Sequence, residues 1–223
     1  MSMLKSSVGR KIIMGVTGLI LILFITGHVL GNMSLFAGPD GINAYAVHLR
    51  ALGPVLWLIR LVMLAIFVVH IWFGISLTLE NRAARPLAYN QKENLRTGFA
   101  SETMWISGLV LLAFVVYHVL HFTLHAVMVP AGTAALVDAV GRFDVYTMVV
   151  SSFKQIKLNV VLYVIGMVFL FFHVSHGFGS FFQSLGLNRE ATIPQFNLVG
   201  KFYAFVVALA YASIPFIALA ILK

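Results

Sequence analysis

The chain has 223 residues, of which 61% are hydrophobic and only 10% charged, with a net charge of +8. A soluble domain carries about 25% charged residues, so this composition excludes a soluble enzyme, a disordered chain and, despite the basic balance, a nucleic-acid-binding domain. There is no cysteine, which removes disulfides, thiolate iron–sulfur clusters, covalently attached haem and a thiol nucleophile. An integral membrane protein with eight histidines is left.

The charges partition the chain. Residues 12–39, 103–137, 158–188 and 202–222 carry none, and residues 51–79 carry only Arg60. A bilayer core of about 30 Å is crossed by about 20 apolar residues in a helix. The expected architecture is therefore all-α, one domain over 1–223 with five transmembrane helices at about 12–36, 55–79, 104–129, 158–184 and 200–222. Turn residues trim their ends: Gly38-Pro39-Asp40-Gly41, Gly53-Pro54 and Pro130. Lys5, Arg10 and Lys11 precede the first span as they would a signal peptide, but the apolar run is too long for a cleaved segment and no small-residue cleavage site follows. No internal repeat, low-complexity tract or soluble domain stands out. The 130–157 connection is the longest and has room for a short amphipathic surface helix.

Lys and Arg set the orientation. With the N-terminus in the cytoplasm, nine fall inside (Lys5, Arg10, Lys11, Arg82, Arg85, Lys92, Arg96, Arg189, Lys201) and five outside (Arg50, Arg142, Lys154, Lys157, Lys223). The expected topology is N-in, C-out. The basic excess reads as topology alone, or also as a docking face for a partner.

Seven histidines lie in or at the edge of a span: His28, His70, His118, His121, His125, His173 and His176. No Asp or Glu lies well inside any span. That excludes a carboxylate proton relay and the oxygen ligands of zinc or di-iron centres. Neutral imidazoles without acids suit bis-histidine b-type haem between facing helices. At about 1.5 Å rise per residue, His28 and His118 lie about 24 and 21 Å from the cytoplasmic ends of their helices, and His70 and His173 about 15 and 16 Å. Pairing by depth joins His28 to His118 and His70 to His173, two stacked haems. Gly31, Gly74 and Gly177 fall on the ligands' own faces, where a macrocycle needs room or where helices pack closely; the third span has no such glycine. His121 and His176 compete with His118 and His173 as ligands, or hydrogen-bond a propionate or quinone. His125 belongs at a hydrated interface and His48 in the outer loop.

These residues resemble a known family. Ser6 to Met14 followed by Thr17-Gly18, then Thr26-Gly27-His28-Val29-Leu30-Gly31-Asn32, Val69-His70-Ile71-Trp72-Phe73-Gly74, Val116-Tyr117-His118-Val119, and Phe172-His173-Val174-Ser175-His176-Gly177-Phe178-Gly179-Ser180-Phe181 are similar to the cytochrome b membrane-anchor subunit of succinate dehydrogenase and fumarate reductase, in its single-chain, five-helix, two-haem form. The resemblance runs nearly the whole length. It implies His28 and His118 as axial ligands of an outer haem b, His70 and His173 as those of an inner haem b, and demotes His121 and His176. It implies flavoprotein and iron–sulfur subunits on the cytoplasmic face, electrons passing inner haem to outer haem to a quinone (menaquinone usually), a prokaryotic cell membrane, and a respiratory-chain and tricarboxylic-acid-cycle role; it also allows a dimer of complexes. Arg10, Lys11, Arg82 and Arg189 are the candidate propionate partners, alongside simple headgroup contact, and Asn32 and His121 the candidate quinone donors. Some fumarate-reducing members carry a Glu two residues before the last ligand, thought to move protons; Phe171 stands there in this chain, which implies electrogenic electron transfer. The rivals are a cytochrome b subunit of a hydrogenase or formate dehydrogenase, and a haem-free structural membrane protein or transporter.

Overall fold

The computed structural model describes residues 6–84 and 98–221, and these are helical with short connections. Lys5, Arg85, Lys92, Arg96 and Lys223 of the orientation count lie outside the described residues. The helices are α1 (Ser7–Asn32), α2 (Pro39–Ala51), α3 (Pro54–Ala83), α4 (Phe99–Glu102), α5 (Met104–His118), α6 (Val145–Gln155), α7 (Lys157–Ser184) and α8 (Ile193–Ile221). Five segments are long and apolar enough to cross a membrane: Ser7–Ala37, Pro54–Ala83, Met104–Thr123, Lys157–Ser184 and Glu190–Ala220. An odd number of crossings places the start of α1 and the end of α8 at opposite ends of the bundle. The end holding Ser7, Ala83 and Met104 is called the near end, and that holding Asn32, Pro54 and Lys157 the far end.

Local chemistry sets the boundaries. The Ser6 hydroxyl accepts from the Gly9 N–H at 3.0 Å and caps α1. Gly38 and Gly53 take left-handed φ values of 81° and 52°, each before a proline that opens the next helix. The third span ends at Thr123, not near 129. After His118 the backbone passes into a π turn, Val119–Thr123, with Leu124 N–H bonded to the Val119 carbonyl at 2.9 Å. His125 and Met128 then take φ of 52° and 51°, incompatible with a continuing helix.

Two features depart from the sequence expectation. The segment after the first span is a helix, α2, and His48 lies exposed on it. The helix in the 130–157 connection is not a surface helix: Met148 to Phe153 of α6 are all buried, Val150 and Phe153 almost completely. Eleven residues span only about 16 Å, too short to cross, and the apolar and small residues of α6 pack beneath α2 and against α8.

Helix α7 is the centre of the bundle, packing on α1, α5 and α8. Small residues permit the close approach. A Cβ on Gly166 would fall 2.6 Å from the Phe114 ring, and one on Gly200 would fall 3.1 Å from the Ser175 carbonyl. Tyrosines tie α8 to α1: Tyr211 donates to the Ile25 carbonyl at 2.7 Å, and the Tyr203 hydroxyl lies 2.6 Å from Thr26 Oγ1. At the near end Arg10 pairs with Glu80, joining α1 to α3, and the Arg82 guanidinium lies 4.4 Å over the Trp105 ring, joining α3 to α5.

A polar cap closes the far end. Asn43 of α2 is fully buried; its amide donates to Asp138 and Asp144, and its carbonyl oxygen accepts from the Tyr146 N–H at 3.0 Å. Arg142 bridges Asp40 and Asp138 at 2.5 and 2.7 Å. Partial burial would raise the Asp138 carboxyl, but hydrogen bonds from Arg142, Asn43 and the Val140 N–H outweigh it and hold its pKa at about 2. Because this value lies below the ordinary 3.8, the contribution to stability is complete above about pH 4 and lost as pH falls through about 2. Limited proteolysis of the 130–145 connection in detergent should be constant from pH 5 to 8 and accelerate only in strong acid, with Asp138→Asn flattening that acid limb. Asn43→Leu, which takes one donor from each of two carboxylates and leaves the Tyr146 N–H without its acceptor, should cost about 1–3 kcal/mol of stability by thermal unfolding.

Candidate cofactor site

In the apolar interior each imidazole must find a partner within the bundle. Four histidines on four helices meet in two pairs. His70 of α3 faces His173 of α7, ring centres 6.4 Å apart and planes at 66°. His28 of α1 faces His118 of α5, ring centres 5.8 Å apart and planes at 72°. The first pair lies nearer the near end and the second nearer the far end. Among the described residues no cluster of three His, Asp or Glu side chains converges as an all-protein metal cage requires.

The His70–His173 pair is held by hydroxyls from neighbouring helices. Thr17 Oγ1 of α1 lies 3.1 Å from His70 Nδ1 and donates to the Ile13 carbonyl at 2.8 Å. Ser107 Oγ of α5 lies 3.1 Å from His173 Nδ1 and donates to the Met104 carbonyl at 2.9 Å. A hydroxyl has one proton. With that proton on a helix carbonyl, the oxygen accepts from Nδ1–H, and the neutral ring keeps its lone pair on Nε2. Glycines sit next to both hydroxyls: the ring Cε1 of His70 would lie 3.4 Å from a Cβ on Gly18, and that of His173 3.4 Å from one on Gly108. Any side chain larger than alanine there would displace the ring.

These contacts reveal an internal repeat that the sequence did not display on its own. Met14, Thr17, Gly18 and His28 of α1 recur, 90 positions on, as Met104, Ser107, Gly108 and His118 of α5. His70 and Gly74 of α3 recur as His173 and Gly177 of α7, 103 positions on. The glycines expected on the histidines' own faces serve the same repeat: a Cβ on Gly74 would lie 3.3 Å from the Met14 methyl, and one on Gly177 3.8 Å from the Met104 methyl. Gly31 instead receives the Tyr45 hydroxyl from α2. The third span does carry a glycine at its site, Gly108, but it backs the histidine of another helix and not its own.

The His28–His118 pair is held differently. Asn32, one turn along α1, donates its amide to the His28 carbonyl at 2.7 Å, and the same nitrogen lies 3.1 Å from His28 Nδ1. His118 Nδ1 lies 3.0 Å from the Tyr163 hydroxyl of α7. His121, fully buried in the π turn, also lies 3.0 Å from that hydroxyl.

The other expected site residues are placed as follows. Asn32 and His121 are committed to internal hydrogen bonds, so neither offers a spare donor to a quinone carbonyl. Arg10 is paired with Glu80, with its Nε buried and unpartnered. Arg82 stacks on Trp105. Arg189 opens a turn through its own N–H, which donates to Thr192 Oγ1 at 2.9 Å, and Lys11 is exposed. His176 Nε2 bonds to Ser180 Oγ, one turn on, at 2.9 Å. His125 lies against Phe143, ring centres 6.1 Å apart, with Nε2 buried and without a hydrogen-bond partner among the described residues. Phe171 packs against Phe172.

No family model, curated protein or solved structure matches this chain.

Thr17→Val and Ser107→Ala each leave a buried Nδ1–H unpaired. Each should cost about 1–3 kcal/mol by thermal or denaturant unfolding in detergent, with unchanged stability showing that the hydroxyl does not hold the ring.

Proposed function

We propose that this chain is the di-haem b membrane anchor of a succinate:quinone oxidoreductase, carrying electrons between an iron–sulfur subunit and a membrane quinone, menaquinone in the first instance. The observation that supports this most is the pair of facing histidine couples at two depths of a carboxylate-free bundle. The two couples stand with ring centres 5.8 and 6.4 Å apart, a separation that would admit one iron between two imidazoles. The donor chemistry agrees at His70 and His173, where the Nδ1 proton is directed to a hydroxyl oxygen and Nε2 retains its lone pair. His28 differs: the Asn32 amide nitrogen beside its Nδ1 donates to the His28 carbonyl and can only donate to the ring.

When bound, two haems supply a one-electron path through the bilayer. The chain's own residues do the rest. His70 and His173 would ligate the near-end haem and His28 and His118 the far-end haem. Thr17 and Ser107 fix ring orientation and tautomer at the near end, and the Tyr163 hydroxyl orients the His118 ring. The apolar walls, with no acid among them, keep the imidazoles neutral and exclude a carboxylate proton path. Phe171 supplies none either, so electron transfer through the chain would be electrogenic.

The resemblance in the ligand segments supports a cytoplasmic near end, docked to flavoprotein and iron–sulfur subunits, in a prokaryotic inner membrane. Dicarboxylate chemistry then lies on the flavoprotein subunit, and this chain is catalytic only within the complex. Of the propionate candidates, Arg10 and Arg82 stand on the two helices that flank His70 at the near end.

The purified protein should give a reduced-minus-oxidised difference spectrum with a b-type band and two haems per chain. A spectrum without that band sinks the reading in favour of a haem-free membrane protein. His70→Ala or His173→Ala should remove the near-end haem and spare the other; the reverse would overturn the pairing. In proteoliposomes the whole complex should respond to membrane potential, and indifference to an uncoupler would refute electrogenic transfer.

A further inference from the structure

The two histidine couples are not equivalent, and the groups bonded to each Nδ1 say how. A neutral imidazole carries one N–H proton. At the near end, Thr17 and Ser107 donate to the Ile13 and Met104 carbonyls at 2.8 and 2.9 Å, and each oxygen lies 3.1 Å from an Nδ1. Those two rings hold the proton on Nδ1 and a lone pair on Nε2. At the far end, the Asn32 amide nitrogen lies 3.1 Å from His28 Nδ1 and 2.7 Å from the His28 carbonyl. An amide nitrogen donates and does not accept. Its two protons go to these two acceptors, so His28 Nδ1 carries the lone pair and Nε2 the proton.

Turning the amide over does not relieve this. It would set the Asn32 oxygen against the His28 carbonyl across the 2.7 Å now spanned by a hydrogen bond, two acceptors with no proton between them. Nor does the bundle need an amide to hold a histidine. In the repeat that relates α1 to α5, the position 90 residues on from Asn32 is Phe122, whose ring stacks on His121 at 3.9 Å and has no N–H or O–H to donate. Asn32 thus gives the first half a donor that the second half lacks. It stands at the nitrogen where accepting a proton leaves the other nitrogen unable to bind iron.

We infer that Asn32 is a positioning residue that holds His28 in the tautomer unable to bind iron, so that the near-end couple takes haem first and the far-end couple takes it more weakly. The inference rests on the di-haem reading above. The near-end rings meet an iron as they stand. At the far end, His28 has to exchange a proton on Nε2 for one on Nδ1, remaining neutral, and Asn32 has to give up both hydrogen bonds before Nε2 is free. Losing them weakens far-end binding about tenfold relative to the near end. A chain short of haem therefore holds it at the near end.

Nitrogen-15 spectra of the full chain, purified haem-free in detergent with labelled histidine, test the tautomer directly, with His28→Ala, His70→Ala and His173→Ala assigning the signals. His28 should show its proton on Nε2, and His70 and His173 theirs on Nδ1; a proton on His28 Nδ1 overturns the inference. Titration with haemin tests the consequence. His173→Ala isolates the far-end couple and His118→Ala the near-end couple, and the first should bind haemin about tenfold more weakly. Asn32→Ala added to each should tighten the first and leave the second unchanged, whereas loss of a mere support would loosen the first. Equal affinity at the two ends, or a far-end couple that Asn32→Ala loosens, overturns the inference. Should Asn32→Ala fail to fold, the spectra and the comparison of the two ends still decide. A wild-type chain that binds no haemin removes the di-haem reading itself, whatever the tautomer of His28, which separates that failure from a failure of the Asn32 assignment.

Discussion

The constraint on which this structure rests is the need to satisfy imidazoles in a medium with no water and no carboxylates. Elsewhere a metal-binding histidine is commonly oriented by an aspartate or a main-chain carbonyl. Here the interior has no acid, and the backbone carbonyls of the spans are already used by their helices. Hydroxyls solve the problem because they can accept and donate at once. Thr17 and Ser107 donate to carbonyls of their own helices, which turns each oxygen toward the histidine of the adjacent helix. The ring is oriented without a charge entering the membrane.

That solution is used twice, and the repeat explains the shape of the bundle. α1 with α3, and α5 with α7, each combine a helix bearing a hydroxyl, a glycine and a far-end histidine with one bearing a near-end histidine. The near-end site is symmetric in its supports. The far end is where the halves diverge. Gly31 in the first half corresponds to His121 in the second, and Arg60 corresponds to Tyr163, each ten residues before the histidine of its helix. The first half fills its gap with the Tyr45 hydroxyl brought by α2. The second fills it with its own imidazole and phenol. Arg60, exposed and lying 4.9 Å over the Trp57 ring, has no part in holding a histidine.

Much of the fold was legible because hydropathy in a membrane protein is a nearly one-to-one report on position. The five spans and the two histidine depths follow from charge gaps and helical rise alone. The caps were less legible. α2 and α6 are short and of mixed composition, and their burial depends on each other and on Asn43, a long-range dependence with no periodic signature. The end of the third span was misplaced for a related reason. Residues 119–129 are apolar enough to continue a helix, and only the π turn and the strained His125 and Met128 end it, conformations to which composition is blind. Thr17, Ser107 and Tyr163 were missed as site residues because hydroxyls in membrane helices are commonly spent on their own backbone. The usable signal was the spacing Met-x-x-Ser/Thr-Gly with a histidine ten residues beyond the glycine, present twice.

The two ends therefore carry different kinds of control. At the near end, matched hydroxyls on matched helices give two histidines nearly the same environment, and little distinguishes one from the other. At the far end, one histidine takes its support from its own helix and the other from a phenol shared with a third histidine. A phenol 3.0 Å from both rings ties His118 to His121. Met128 lies in the strained turn that leads to the polar cap of Asn43, Arg142 and Asp138. The cap and the far-end site are thus mechanically continuous: α6 is buried against the cap on one side, and Ser152 of α6 accepts from Asn159 on the other. The residues of 119–157 are better understood as the support of one histidine than as a loop between two spans.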